Sequence, residues 1–202
     1  MDKRIYTSII IFGVSLGMLG CSSTKVQRVD INKPIDLSGQ WNDTDSRLTA
    51  ESAIEDCLKH SWINDFNKEA GRNPTVIVGQ VINRSQEHIN SQIFIKDLER
   101  AFVNSNKVQL VASRQERKEI RDERTDQEAG NTDPSTISRP GFESGADFML
   151  QGSINSVKDE IKGQYAILYQ VNLELIDMKT NRKKWIGQKE IKKSVKKSAY
   201  SL

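Results

Sequence analysis

The chain has 202 residues, with 30 basic and 27 acidic side chains and a formal net charge of +3. A charge this small does not indicate nucleic-acid binding, and the length fits one domain of about 150 residues. Two cysteines and two histidines are present, and the HExxH, CxxC, GxSxG and phosphate-loop patterns are missing. We therefore expect no disulfide framework, no metal site and no cofactor, and no catalytic set that would make the protein an enzyme.

The N-terminus has the organisation of a bacterial lipoprotein signal. A short, net positive start at residues 2–4 precedes an apolar stretch at residues 5–19, and small Gly20 then comes before Cys21. The apolar stretch is too short to cross a bilayer as a helix but fits a signal peptide. We predict cleavage after residues 1–20 and lipid attachment at the Cys21 thiol. The alternative is an ordinary signal peptide, or a membrane-anchor helix, with a chance cysteine.

The mature chain divides into a tether and a domain. Residues 21–40 are mostly polar and lack apolar periodicity, which predicts a flexible tether, and residues 41–197 are expected to form a single globular domain. Acyl chains on Cys21 would anchor the protein to a membrane. Since Ser22 is not acidic, we expect sorting to the periplasmic face of the outer membrane.

The predicted elements follow one another in an α+β order. Asp45 or Ser46 is expected to cap a first helix that continues to about Lys68. Cys57 lies on the apolar stripe of this helix, which favours a buried, inert thiol. Further helices are expected at residues 91–105 and, opened by the Ser113–Glu116 capping box, at 114–126. Strands are predicted at residues 75–82, 108–111, 147–157, 165–178 and 185–191.

The strand at residues 165–178 shows the clearest alternation. Val171 and Leu173 alternate with Gln170, Asn172 and Glu174, which predicts one face on the core and one in water. The first two strands flank a helix, which favours parallel pairing, and the later strands are joined by short turns. We predict a mixed, mostly antiparallel sheet of about five strands, with helices packed mainly on one face.

The C-terminal part of the domain is basic. Residues 182–197 hold eight Lys or Arg residues and one Glu. The favoured interpretation is an edge strand whose lysines prevent aggregation. The alternative is contact with an anionic surface, either lipid headgroups or a partner.

Several stretches together resemble the LpoB family of lipoproteins that activate class A penicillin-binding proteins. They read DLSGQWNDTDSR at 36–47, HIN at 88–90, FIKDLE at 94–99, GADFML at 145–150 and YQVNLEL at 169–175. The resemblance implies a non-catalytic domain similar to the N-terminal domain of TolB. It also implies a lipid-anchored activator whose partner is a bifunctional penicillin-binding protein. The alternative is a structural envelope lipoprotein that binds or scaffolds another protein with no effect on synthase activity.

Candidate partner-binding residues lie within two of these stretches. The segment that starts at Trp41 is either a turn with a helix cap or a contact patch with an aromatic anchor, and we favour the structural interpretation. The HIN stretch adds two polar side chains that precede a helix. The candidates are Trp41, Asn42, Asp43, Asp45, His88 and Asn90.

Overall fold

The computed structural model describes residues 26–31 and 33–196. The described fold belongs to the unit that begins at Pro34. The predicted signal peptide and Cys21 lie outside the described residues. Within the described part of the chain, no helix has the length and apolar character needed to cross a membrane.

The described residues form one five-stranded sheet with the order β2-β1-β3-β4-β5. β1 pairs in parallel with β2 and β3, whereas the β3–β4 and β4–β5 pairs are antiparallel. This topology confirms the predicted mixed, mostly antiparallel sheet. The strands are β1 (Thr75–Arg84), β2 (Gln109–Leu110), β3 (Phe148–Ile161), β4 (Gln164–Asp177) and β5 (Lys183–Lys196).

The helices cover one face of this sheet. α1 contacts both α3 and β5, and α3 contacts β1 and β2, which confirms the predicted one-sided layer. α4 buries none of its side chains, as its mixed charges predict, and a short π-helical segment, Gln127–Asn131, follows it. The helices are α1 (Asp43–Cys57), α2 (Trp62–Ala70), α3 (Ser91–Ser105) and α4 (Arg114–Asp126).

The core lies between the helices and the inner face of the sheet. On β4 every second side chain is buried, and the residues between them are only partly exposed, so the predicted alternation is confirmed. α3 contributes buried apolar residues from one face of the helix. The buried residues of these two elements include Ile167, Tyr169, Val171, Leu173 and Leu175 on β4, and Phe94, Ile95, Leu98 and Phe102 on α3.

The predicted single helix through Lys68 is wrong. The chain leaves the helix after Cys57 and starts α2 at Trp62, because the Trp62 Nε1–H donates to the Cys57 carbonyl at 2.8 Å. The Trp62 indole also packs edge to face on Phe148, with ring centroids 4.9 Å apart. A contact between residues distant in sequence therefore determines where α1 ends and α2 begins.

Two smaller predictions are also wrong. The residue that caps α1 is Asn42, and Asp45 occupies the third helical position, with Ser46 after it. Ile82 of β1 is exposed. β5 continues to Lys196, beyond its predicted end.

The two ends of the sheet are formed by different strand ends and turns. At one end, which we call the proximal end, β3 finishes at Ile161, β4 begins at Gln164 and β5 finishes at Lys196. Asp45, near the start of α1, lies at this end beside Lys193 of β5. The opposite, distal end holds the start of β1 and the β4–β5 turn.

Candidate functional site

Trp41 connects the N-terminal segment to the core at the proximal end. Its indole packs edge to face on Phe94 and Tyr169, at centroid distances of 6.2 and 5.5 Å. Its backbone N–H donates to Glu87 Oε2 at 3.3 Å, and the Tyr169 hydroxyl donates to Glu87 Oε1 at 2.7 Å. Burial and the Glu87 carboxylate raise the pKa of Tyr169, so this hydroxyl remains a donor.

Asn42 and Asp45 form a reciprocal capping box at the start of α1. The Asp45 N–H donates to Asn42 Oδ1, and the Asn42 N–H donates to Asp45 Oδ2, both at 3.0 Å. Such a box satisfies backbone donors that the first helical turn leaves unpaired. Asp45 is only 7% exposed, so its carboxylate serves the fold.

Lys193 joins this cap to the preceding segment. Its Nζ lies 2.6 Å from Asp45 Oδ2 and 2.6 Å from Asp36 Oδ1, and its side chain is 10% exposed. Burial alone would lower the pKa of Lys193, but the bonds to both carboxylates outweigh it and the pKa is raised. The same lysine lowers the pKa of Asp36.

Residues 36–40, which we call the strap, lie against β4 and β5. The Tyr165 hydroxyl donates to the Ser38 carbonyl, and Lys193 Nζ donates to the Gln40 carbonyl at 3.1 Å. Gly39 is buried with a φ of +73°, and a Cβ there would lie 2.2 Å from Val195 Cγ2. Only glycine fits this position without strain. From their sequence alone, these residues are predicted to belong to the flexible tether.

The remaining candidates face solvent. Asp43 is exposed in the first turn of α1. His88 and Asn90 are exposed on either side of buried Ile89, and Asn90 Oδ1 accepts from the Gln92 N–H at 3.0 Å to cap α3. Asn90 therefore has a structural task as well as an accessible side chain.

All six candidate residues lie at the proximal end, around the starts of α1 and α3. Asp43, His88 and Asn90 are accessible to a partner, whereas Trp41 and Asp45 are largely used by the fold. Asn42 is partly exposed and bonds to Asp36 through its amide at 2.7 Å.

Three residues that hold the proximal end together were not predicted from the sequence. They are Glu87, Lys193 and Tyr169, whose hydroxyl donates to Glu87. Glu87 directly precedes the HIN stretch, and Lys193 falls on the inward phase of β5 between Ile191 and Val195. A lysine at an inward position is a signal that the sequence did contain, because a buried cation requires a partner.

Neither a metal nor a thiol site accompanies this cluster. Among residues 26–31 and 33–196, no group of three or more His, Cys, Asp or Glu is placed to hold a metal ion. Cys57 is buried, and burial raises the pKa of its thiol to about 12. The thiol is therefore protonated and unreactive at neutral pH.

Comparison with known protein families identifies the chain. Residues 45–191 match the family model described as the peptidoglycan-synthase activator LpoB. The chain belongs to the LpoB family. The matched region includes Asp45, His88 and Asn90, whereas the strap, Trp41, Asn42 and Asp43 lie before it. Among curated proteins, no match was found.

Solved structures similar to this LpoB-family chain are distant from it in sequence. The LpoB C-terminal domain from Salmonella enterica is 16% identical, with a TM-score of 0.36, and the match covers 70% of this chain and 97% of that one. The NMR structure of E. coli LpoB is 15% identical, with a TM-score of 0.37 and coverage of 94% and 88%. Lipoprotein GNA1162 from Neisseria meningitidis is 16% identical, with a TM-score of 0.39 and coverage of 63% and 88%.

Proposed function

We propose that the protein is a lipid-anchored periplasmic regulator that binds and activates a class A penicillin-binding protein. The observation that carries this proposal is the match of residues 45–191 to the family of peptidoglycan-synthase activators. Activation requires only that a binding surface bias the partner toward its active state. In this proposal Cys21 carries the lipid and the outer membrane holds the anchor.

The docking surface in this proposal is the accessible part of the proximal end. Asp43, His88 and Asn90 are exposed there, on a backbone that the caps of α1 and α3 fix in place. A surface presented by rigid elements loses little conformational freedom on binding. Asp43 carries a negative charge, so the matching patch on the synthase would be basic or rich in hydrogen-bond donors.

The strap favours a second candidate function, a structural envelope lipoprotein that binds or scaffolds another protein. Because Asp36 is bound to Lys193, the linker to the lipid is short: the 14 residues from Cys21 to Pro34 span at most about 45 Å even if fully extended. A reach this short would suit a partner close to the anchoring membrane.

The proposal is tested by chemical crosslinking in intact cells, followed by purification and mass spectrometry. We expect the wild-type protein to capture a synthase with glycosyltransferase and transpeptidase domains. Asp43→Lys combined with His88→Ala should abolish that capture, because both side chains are removed from the docking surface. Asp65→Lys is the matched control, since Asp65 is also an exposed acid in the first turn of a helix, α2, near the distal end.

Two results would contradict the proposal. One is that the wild-type protein captures no synthase. The other is that the double variant captures the synthase as well as Asp65→Lys does, which would remove Asp43 and His88 from the docking surface. Circular dichroism of each variant establishes that a loss of capture does not come from unfolding.

A further inference from the structure

The docking surface proposed above contains polar side chains but no apolar one. Asp43, His88 and Asn90 are exposed, and none of them can fill an apolar pocket on a partner. Most of the affinity of a protein interface comes from a few anchor side chains that become buried on binding. A tight complex therefore requires an exposed apolar side chain beside these three residues.

Ile93, in the first turn of α3, is such a side chain. It is 55% exposed, and its N–H donates to the carbonyl of the cap residue Asn90 at 3.2 Å. Residues three or four positions apart lie on the same face of a helix, so Ile93 is on the side of α3 that also carries Asp97. The capping turn fixes its place next to Asn90.

A hydrogen bond between α1 and α3 brings this side of α3 against the start of α1. The two helices pack on each other, and the Ser46 hydroxyl donates to Asp97 Oδ2 at 2.8 Å. Asp43 lies three residues before Ser46, and Ile93 lies four residues before Asp97, so each is about one turn closer to the start of its helix. Both helices start at the proximal end, so Ile93 lies beside Asp43 as well as beside Asn90.

Ile93 can be buried by a partner at a small cost in conformational entropy. An isoleucine in a helix has one strongly preferred χ1 rotamer, and its burial costs less side-chain entropy than that of a long, flexible side chain. The caps of α1 and α3 hold the backbone around it. Little conformational freedom is therefore left to be lost when a partner covers this side chain.

The charges near this side chain indicate the chemistry of the surface that it fits. Every basic residue in the first three turns of α1 and α3 already forms an ion pair: Arg47 with Glu51, Lys96 with Glu99 and Glu116, and Arg100 with Asp97. Among residues 26–31 and 33–196, no ion pair involves Asp43. An unpaired negative charge therefore borders the apolar side chain, and a basic rim on the partner would match it.

We propose that Ile93 is the apolar anchor of the docking surface and that the partner receives it in an apolar pocket with a basic rim. The inference rests on the proposed function, because the partner is the peptidoglycan synthase that the protein is proposed to activate. Asp43 and Asn90 would form part of the polar border around the buried isoleucine, as is usual at protein interfaces.

α3 also supplies a matched control. Val103 is β-branched and apolar, and it is 53% exposed, nearly the same as Ile93. It lies ten residues further along the helix, about 15 Å away, near the other end of α3. Single apolar side chains are common on protein surfaces, so Val103 measures what exposure alone contributes to binding.

The test measures the affinity of the full-length protein for a purified class A penicillin-binding protein from the same cell by isothermal titration calorimetry. Ile93→Ala should weaken binding about five- to tenfold, because it removes most of the apolar surface that enters the pocket. Ile93→Val keeps a branched apolar side chain and should weaken binding only about twofold. Val103→Ala should leave the affinity unchanged. Alanine is the strongest helix former, so neither alanine variant should unfold α3.

Salt separates the apolar contact from the electrostatic one. The loss of affinity caused by Ile93→Ala should be the same at low and high salt, because salt does not screen apolar burial. The loss caused by Asp43→Lys should shrink at high salt. A loss for Ile93→Ala that disappears at high salt would contradict the assignment of Ile93 as an apolar anchor.

The same titrations separate this inference from the proposed function. If the wild-type protein binds the synthase but Ile93→Ala and Val103→Ala bind it equally well, the inference is overturned and the proposed function stands. If the wild-type protein does not bind the synthase, the proposed function fails and the inference fails with it.

Discussion

Lys193 shows how one side chain can join three parts of a domain. It lies on the inner face of β5, bonds to Asp45 in the first turn of α1 and bonds to Asp36 in the strap. A buried cation costs free energy unless it is paired and hydrogen-bonded. Here both carboxylates and the Gln40 carbonyl satisfy it, so the positions of α1, β5 and the strap depend on one another.

The inner and outer faces of β4 should differ sharply in their tolerance of charge. Val171 is 2% exposed, and its neighbour Asn172 points to the uncovered face. Val171→Asp should destabilise the domain by several kcal/mol, because an unpaired buried carboxylate has lost its hydration. Asn172→Asp should change the free energy of unfolding by about 0.5 kcal/mol or less. Urea unfolding of both variants measures the difference, and equal stabilities would contradict the assignment of faces.

At the scale of elements, short sequence patterns predicted those helices and strands that depend on interactions between neighbouring residues. α3 occupies residues 91–105, as its apolar spacing indicates, and α4 begins at the Ser113–Glu116 capping box. Both predictions rest on residues a few positions apart. The alternation on β4 also succeeded, because a strand with one covered face must repeat every second residue.

Elements that depend on distant contacts could not be predicted in the same way. The break between α1 and α2 depends on the packing of Trp62 on Phe148. The strap depends on a bond between Asp36 and Lys193, which are 157 positions apart in sequence. The candidate site is divided accordingly: the stretches at 36–47 and 88–90 could be found from the sequence, but which of their side chains remain accessible could not.

Substitution of Asp36 should release the strap from β4 and β5 while the rest of the domain stays folded. Apart from Gly39, which is buried against Val195, its contacts are polar, and its apolar residue Leu37 is exposed, so little apolar burial holds the strap in place. We expect Asp36→Asn to increase hydrogen exchange at residues 36–40 several-fold. The free energy of unfolding should change by about 1 kcal/mol or less, because Asp36 is itself exposed and Lys193 keeps its ion pair with Asp45. Glu174→Gln, which breaks the exposed pair with Lys183 at the distal end, should leave exchange in the strap unchanged.

The pH dependence of strap protection follows from the same pair. The hydrogen bond from Lys193 lowers the pKa of Asp36 below its ordinary value of 3.8. A carboxylate with a lowered pKa stabilises the folded arrangement above its ordinary pKa and ceases to do so as the pH falls through the lowered value. Protection of the strap should therefore be constant at neutral pH and lost in acid. If the slow exchange persisted in Asp36→Asn, the ion pair would not be what holds the strap.

At the scale of the whole molecule, several features of the domain lie together at the proximal end. The strap and the end of β5 meet at the proximal end, and the candidate docking residues surround the starts of α1 and α3 at the same end.

The proposed increase in the rate of a peptidoglycan synthase can be measured with purified proteins. A purified class A penicillin-binding protein is supplied with its lipid-linked disaccharide substrate, and the rate of glycan polymerisation is followed as the protein is added. We predict a saturable increase in the rate with the wild-type protein and with Asp65→Lys, and no increase with Asp43→Lys combined with His88→Ala. An unchanged rate at saturating wild-type protein, while the two proteins still crosslink, would contradict activation and favour the structural lipoprotein.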